Sequence, residues 1–179
     1  MSVSMILMLL AALSFTANAA DTIVLVSNFT DSEALPGTCT LHSNGIWRTD
    51  CNLRSALAVP GASKIMLAGT KTHKLNIDAY GSLNISAASM DIDIVPFRPN
   101  SVPTVTATSS GSAAFNFSRG SLKVSRVNFE ECQSAVFYLE GAGSSSAPPA
   151  LTLEDATFAS NSGKKYGSAV YCEECAVLA

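Results

Sequence analysis

Apolar and polar residues alternate along this chain in runs too short to be helices. Ile65 and Leu67 begin the series, and Leu83 and Ile85, Ile92 and Ile94, Phe115 and Phe117, Leu122 and Val124, and Val127 and Phe129 continue it. Val136 to Leu139, Leu151 and Leu153, Ala156 and Phe158, and Val170-Tyr171 complete it. Each run is a few residues long and bounded by Gly, Ser, Asn or Pro, the pattern of a short strand with one face on a core. One helix is predicted, from Asn52 to Leu57, ended by Pro60-Gly61. The stretch GAGSSSAPP, 141–149, reads as a loop by composition.

The strand pattern repeats. SLKVSRVNFEEC, from Ser121, is matched 29 residues later by ALTLEDATFASN, which pairs Leu122, Val124, Val127 and Phe129 with Leu151, Leu153, Ala156 and Phe158. SAVFYLEG, from Ser134, is matched by SAVYCEEC at an offset of 34, which puts five extra residues around 163–167. AAFNFSRGSLKV is an earlier, weaker copy. A unit of about 30 residues with two or three short strands cannot bury its apolar face alone, and stacking the units solves this. The predicted fold is all-β: a right-handed single-stranded parallel β-helix with a short N-terminal capping helix, its coils about 4.8 Å apart. An antiparallel sandwich would not require the repeat. The final AVLA reads as the start of another coil, so the solenoid is expected to be incomplete at its C-terminus.

Residues 1–20 read as a signal peptide. The apolar run from Met5 to Phe15 is followed by Ala17-Asn18-Ala19, and it is shorter than the about 20 apolar residues of a membrane span. Residues 21–62 are then an N-terminal cap and 63–179 the coils, with no transmembrane segment in the mature chain. A secreted or cell-surface protein is expected. Asn28, Asn84 and Asn116 each open an Asn-x-Ser/Thr site and are glycosylation candidates. The net charge of −3 and the absence of any basic stripe argue against nucleic acid as a partner.

Export would place the five cysteines in an oxidising compartment. Cys39 and Cys51 enclose a polar loop containing Trp47 and read as a disulfide stapling the cap, worth about 3 kcal/mol. Cys172 and Cys175 have Cys-x-x-Cys spacing at a turn, and can pair with each other, with Cys132 or with a cysteine outside this chain. A redox role is disfavoured, because the motif does not open a helix after a strand.

Cys51-Asn52-Leu53-Arg54-Ser55-Ala56-Leu57 resembles the Cys-Ser-Leu-Arg-Glu-Ala-Ile signature near the N-terminus of many secreted β-helix proteins, with Ser55 in place of its Glu. GASKIMLAGTKTHKLNI, 61–77, looks like the strand element that follows it. Phe158-Ala159-Ser160-Asn161 with Gly167-Ser168-Ala169-Val170 resembles the repeat of polymorphic outer-membrane proteins, whose hallmarks are Phe-x-x-Asn and Gly-Gly-Ala-Ile. The likeness spans roughly Thr22 to Tyr171. It implies a pectin-lyase-like solenoid used for adhesion and display. It also implies that Phe158 points inward onto Phe129 and that Asn161 bonds turn backbone of the next coil. Arg54 is left with two readings, neutralising carbonyls at the first coil or facing solvent.

The best catalytic candidates are Asp91 and Asp93, two residues apart on a strand and so on one face. Paired carboxylates serve as acid and base or hold calcium, but alternation alone explains them: Ile92 and Ile94 line the core and the aspartates meet solvent. Glu154 and Asp155 are adjacent and diverge on a strand. His42 and His73 lie apart from any ligand set and are expected at the surface. No cofactor and no metal is predicted. The sequence points to a non-catalytic structural or adhesive module with surface glycans or proteins as partners. The alternative is a carbohydrate-active enzyme whose site lies in missing coils or around Asp91 and Asp93.

Overall fold

The alternating runs fold as a β-solenoid. In the computed structural model, which describes residues 22–39, 51–69, 71–85, 91–141, 148–163 and 167–178, β1 (Thr22–Val26) leads through a 3-10 turn (Pro36–Cys39) to α1 (Leu53–Leu57). The chain then circles one axis. β2 (Ala62–Leu67), β3 (Thr72–Asn76) and β4 (Leu83–Ile85) form the first coil, with α2 (Ile77–Tyr80) before β4. β5 (Asp91–Pro96), β6 (Thr104–Thr108) and β7 (Phe115–Phe117) form the second. β8 (Ser121–Ser125), β9 (Asn128–Glu130) and β10 (Phe137–Glu140) form the third. β11 (Ala150–Glu154), β12 (Thr157–Ala159) and β13 (Val170–Glu173) form the fourth, and β14 (Ala176–Leu178) begins another. The predicted signal peptide lies outside the described residues.

Strands of successive coils pair in parallel. Sheet A runs β1-β2-β5-β8-β11-β14, sheet B β3-β6-β9-β12 and sheet C β4-β7-β10-β13. Because side chains alternate along a strand, register turns each inward position into a ladder up the stack. Sheet A carries Val24, Ile65, Ile94, Val124 and Leu153 in one ladder and Ile92, Leu122, Leu151 and Val177 in another. Sheet B contributes His73, Val105, Phe129 and Phe158, and sheet C Leu83, Phe115, Phe137 and Val170. The rings meet across the interior. Phe158 stacks on Phe129 with centroids 5.3 Å apart, and Phe129 meets Phe137 edge-on at 5.1 Å.

The 29-residue repeat is the register of β8 with β11 and of β9 with β12. Sheet C departs from the predicted offset of 34. Phe137 faces Val170 and Tyr138 faces Tyr171, an offset of 33, so four extra residues rather than five enter the longer coil. The amides of Val136 and Phe137 both donate to the Ala169 carbonyl, which takes up the slip. The reason is polarity. The observed register keeps Tyr171 outward, stacked on Tyr138 at 5.1 Å with near-parallel rings. The predicted one would have set it opposite the inward Phe137.

In the third and fourth coils single residues start the bends. Arg126, Glu131, Asp155, Ser160 and Glu174 each follow a strand directly and each has φ near +50°, the left-handed region. The Arg126 amide donates to the Glu154 carbonyl and the Glu131 amide to the Ala159 carbonyl, one residue before the same bend in the next coil. Gly141 holds the corresponding corner below Glu174. A Cβ there would lie 2.5 Å from the Glu174 carbonyl oxygen, so only glycine allows the approach.

α1 closes the N-terminal end. Asn52 caps it, its side-chain oxygen accepting from the Ser55 amide at 2.7 Å. Ser55, where the resembling signature has Glu, accepts from the Leu35 amide through its hydroxyl. The Cys39–Cys51 disulfide ties the 3-10 turn to the residue before this cap. Arg54 takes the carbonyl reading and adds a partner that the sequence does not suggest. Its Nη1 donates to the carbonyls of Tyr80 and Ser82 and its Nη2 to that of Gly81 at 2.7 Å, while Nε and Nη2 grip the two oxygens of Asp31 at 3.0 and 2.9 Å. Asp31 also accepts from the Asn76 amide.

His73 corrects the expectation of a surface residue. It is an inward position of β3, only 2% exposed, with Phe29 packed against its ring at 4.8 Å. Burial lowers its pKa to about 4, opposed by backbone groups of Ala68 and Asn28. Those groups lie near the ring, but neither ring nitrogen makes a hydrogen bond of acceptable geometry. His42 lies outside the described residues.

Two outcomes follow. Arg54→Met leaves Asp31 buried without its cation, and urea unfolding should show a loss of about 3–5 kcal/mol, partly recovered in Arg54→Met/Asp31→Leu. His73 binds a proton more readily unfolded (about 6.5) than folded (about 4). Stability should therefore fall by about 3 kcal/mol as pH drops from 6.5 towards 4. Unfolding midpoints of His73→Leu across that range should lack this component.

Candidate functional site

A concave cleft lies between the cap and the first coil, with a cavity volume of about 620 Å³. Its floor is Arg54, Leu57 and Leu83, and its walls carry Glu33, Tyr80, Ser82 and Asn84. Local structure places each of these. Asn76 caps α2 by accepting from the Ala79 amide, and Gly81 at φ 72° turns the chain into β4. This leaves Tyr80 44% exposed at the rim, its ring centroid 5.8 Å from the Arg54 guanidinium. Asn84 faces outward between the inward Leu83 and Ile85. Arg54 is turned inward onto Asp31 and three carbonyls, so the groups open to a ligand are an aromatic ring, one carboxylate and one amide. That mixture suits a polar, ring-containing ligand held by stacking and hydrogen bonds. Sequence reasoning found Arg54 and Asn84 but missed Glu33 and Tyr80. Neither carries a motif, and only the turn signal Tyr80-Gly81 marks the spot.

Asp91 and Asp93 lie on the outer face of sheet A, as alternation predicts. Asp93 stands in register between Lys64 and Lys123, and Asp91 accepts a hydrogen bond from the Ser121 hydroxyl. Lys123 in turn meets Glu154 at 2.7 Å. That contact raises the lysine pKa and lowers the glutamate pKa. Asp93 thus belongs to a cross-coil row of alternating charge, Asp91 pairs with a hydroxyl, and neither has a second carboxylate opposite it in register. Among the described residues, no group of three or more His, Cys, Asp or Glu side chains is arranged to hold a metal ion.

Sheet C carries an outward column that the sequence did not reveal. Asn84, Asn116, Tyr138 and Tyr171 are in register, and Glu140 faces Glu173 beside them. Each tyrosine hydroxyl meets the carboxylate two residues on, at 3.0 and 3.2 Å. Two of the glycosylation candidates, Asn84 and Asn116, are therefore exposed neighbours on adjacent strands. Asn28 is half-buried, and its side chain accepts from the Thr30 amide.

Cys172 and Cys175 are joined by a disulfide across the β13–β14 corner. Cys132 is the free cysteine, buried, its thiol pushed up to about 11 by burial. Its amide donates to Asn161 Oδ1 at 2.8 Å, and Asn161 Nδ2 donates to the Phe129 carbonyl at 3.0 Å. Asn161 therefore bonds the coil before it rather than the coil after it. No helix among the described residues is long and apolar enough to cross a membrane. No protein-family model matches the chain, and comparisons with curated proteins and with solved structures return no match.

The thiol makes a measurable difference. A maleimide should leave the native protein unlabelled for hours at neutral pH and modify one cysteine per chain within minutes in denaturant, by mass spectrometry. Rapid native labelling would mean that the third coil opens.

Proposed function

We propose that this chain is a secreted or cell-surface β-solenoid module that binds rather than catalyses, with a surface glycan or surface protein as its partner. The observation that carries this reading is the cap cleft, where Tyr80, Glu33 and Asn84 surround a cavity large enough for a small ligand or a sugar unit. Among the described lining residues the one carboxylate, Glu33, has no second carboxyl group beside it. Asp93 in register between two lysines and Asp91 bonded to the Ser121 hydroxyl support the same reading. The two disulfides suit an oxidising compartment, and the likeness to polymorphic outer-membrane proteins belongs to the same proposal.

One observation favours the enzymatic alternative. Glu140 and Glu173 are in register on adjacent coils, and each is held by a tyrosine. Two carboxylates a strand spacing apart lie close to the separation used by retaining glycosidases.

A glycan array separates the two. The native chain should retain a defined glycan class, and Tyr80→Ala should weaken that binding by about tenfold or more while leaving the fold intact. Polygalacturonate incubated with the chain should release no reducing ends. Release that disappears in Glu140→Gln and Glu173→Gln would replace the binding reading with the enzymatic one.

A further inference from the structure

The cap cleft discriminates by charge. Its floor holds a guanidinium whose donors are all in use. Arg54 directs its five N–H groups at the two oxygens of Asp31 and at the carbonyls of Tyr80, Gly81 and Ser82. The Asp31 carboxylate, itself buried, lies 2.9 Å from Nη2 and compensates the cation. An anionic ligand would therefore meet a positive group with no donor to offer. The carboxylate that remains is Glu33, which also lines the cleft. It is exposed, and among the described residues no ion pair reaches it. Tyr80 supplies the second open group. Arg54 lies over its ring, 5.8 Å from the centroid, yet the residue stays 44% exposed. The face of an aromatic ring is the negative part of its quadrupole. Glu33 and Tyr80 thus both attract positive charge, above a floor that Leu57 and Leu83 make apolar.

We propose that the cleft takes a cationic amino sugar, its free ammonium held by Glu33 and its ring against Tyr80. This assignment rests on the cleft being a glycan-binding site and narrows the ligand to one class. Each part of such a sugar has a counterpart. The ammonium is a compact charge with three donors, which a carboxylate matches. The C–H groups of the sugar ring, polarised by the ammonium beside them, pack on the aromatic face. Its hydroxyls exchange hydrogen bonds with the amide of Asn84, which strand alternation turns outward at the cleft wall. A cavity of about 620 Å³ has room for the end of an oligosaccharide. A uronic acid would bring its carboxylate towards Glu33 and be repelled. A lysine side chain has the ammonium but no ring to stack on Tyr80 and no hydroxyls for Asn84.

Isothermal titration of the full chain near pH 6, where a sugar amine carries its proton, is the test. The β-1,4-linked glucosamine disaccharide should bind at least about tenfold more tightly than cellobiose, which has hydroxyls in place of the amines, and than digalacturonate. Glu33→Gln should reduce its affinity to that of cellobiose, and added salt should weaken it in the native chain. Tyr80→Ala should lose the binding and Tyr80→Phe, which keeps the ring, should retain it. Urea midpoints equal to the native value check that these exposed substitutions leave the fold intact. Cellobiose or digalacturonate binding as tightly as the glucosamine disaccharide overturns the assignment, as does an unchanged affinity in Glu33→Gln. Trilysine binding more tightly than the disaccharide overturns it in favour of a protein partner. If the disaccharide fails but another glycan on the array binds and is lost in Tyr80→Ala, the assignment falls and the glycan site stands. If no glycan binds, both fall.

Discussion

A parallel strand has no hydrogen-bond partner within its own coil, and everything in this molecule depends on that fact. Each strand of three to six residues is stable only because the coil below presents the same strand in register. A slip of one residue would turn every inward side chain outward. The interior ladders therefore hold register as well as burying area. Where the two demands diverge, at β10 and β13, the chain keeps tyrosine on tyrosine outside and accepts an irregular pair of hydrogen bonds at Ala169.

Stacking raises a problem at the first coil, where there is no coil below. α1 supplies apolar cover, but carbonyls at the α2–β4 turn still need donors. A guanidinium carries five N–H groups in one plane, and Arg54 distributes them between three carbonyls and Asp31. The aspartate makes the buried cation tolerable and also holds the loop after β1 against Asn76. One ion pair thus joins cap, turn and first coil, which are far apart in sequence.

The β-solenoid was legible because two coils use corners of equal length, 126–127 and 155–156, so that Leu, Val and Phe recur at a constant interval. Earlier coils were harder to read. Their corners, 68–71 and 97–103, differ from these and from each other, and no fixed interval survives. β6 escaped notice because its inward residues, Val105 and Ala107, are small and its outward ones are threonines, which blurs the contrast. β3 hid behind His73, whose polarity suggests the surface although its position in the alternation points inward. The short α2 has too few residues to show a helical period. In the cleft, Arg54 was recognisable from its neighbours, whereas Asp31, Glu33 and Tyr80 reach it only through the winding of the chain. The tyrosine and glutamate columns of sheet C depend on a register that the longer connection 160–169 conceals.

The left-handed residues at the corners divide the molecule into parts that can change and parts that cannot. At 126–127 and 155–156 one bend sets the angle between sheets A and B and bonds to its copy above, so an inserted residue would break the stack. Elsewhere the length varies, as 118–120, 141–149 and 160–169 show, and so do 68–71 and 97–103 in the earlier coils. Drift and elaboration are thereby channelled to the connections whose lengths already differ. A foreign peptide grafted between Gly141 and Pro149 would be displayed at a set height along the axis, and the pitch beneath it would not have to adjust.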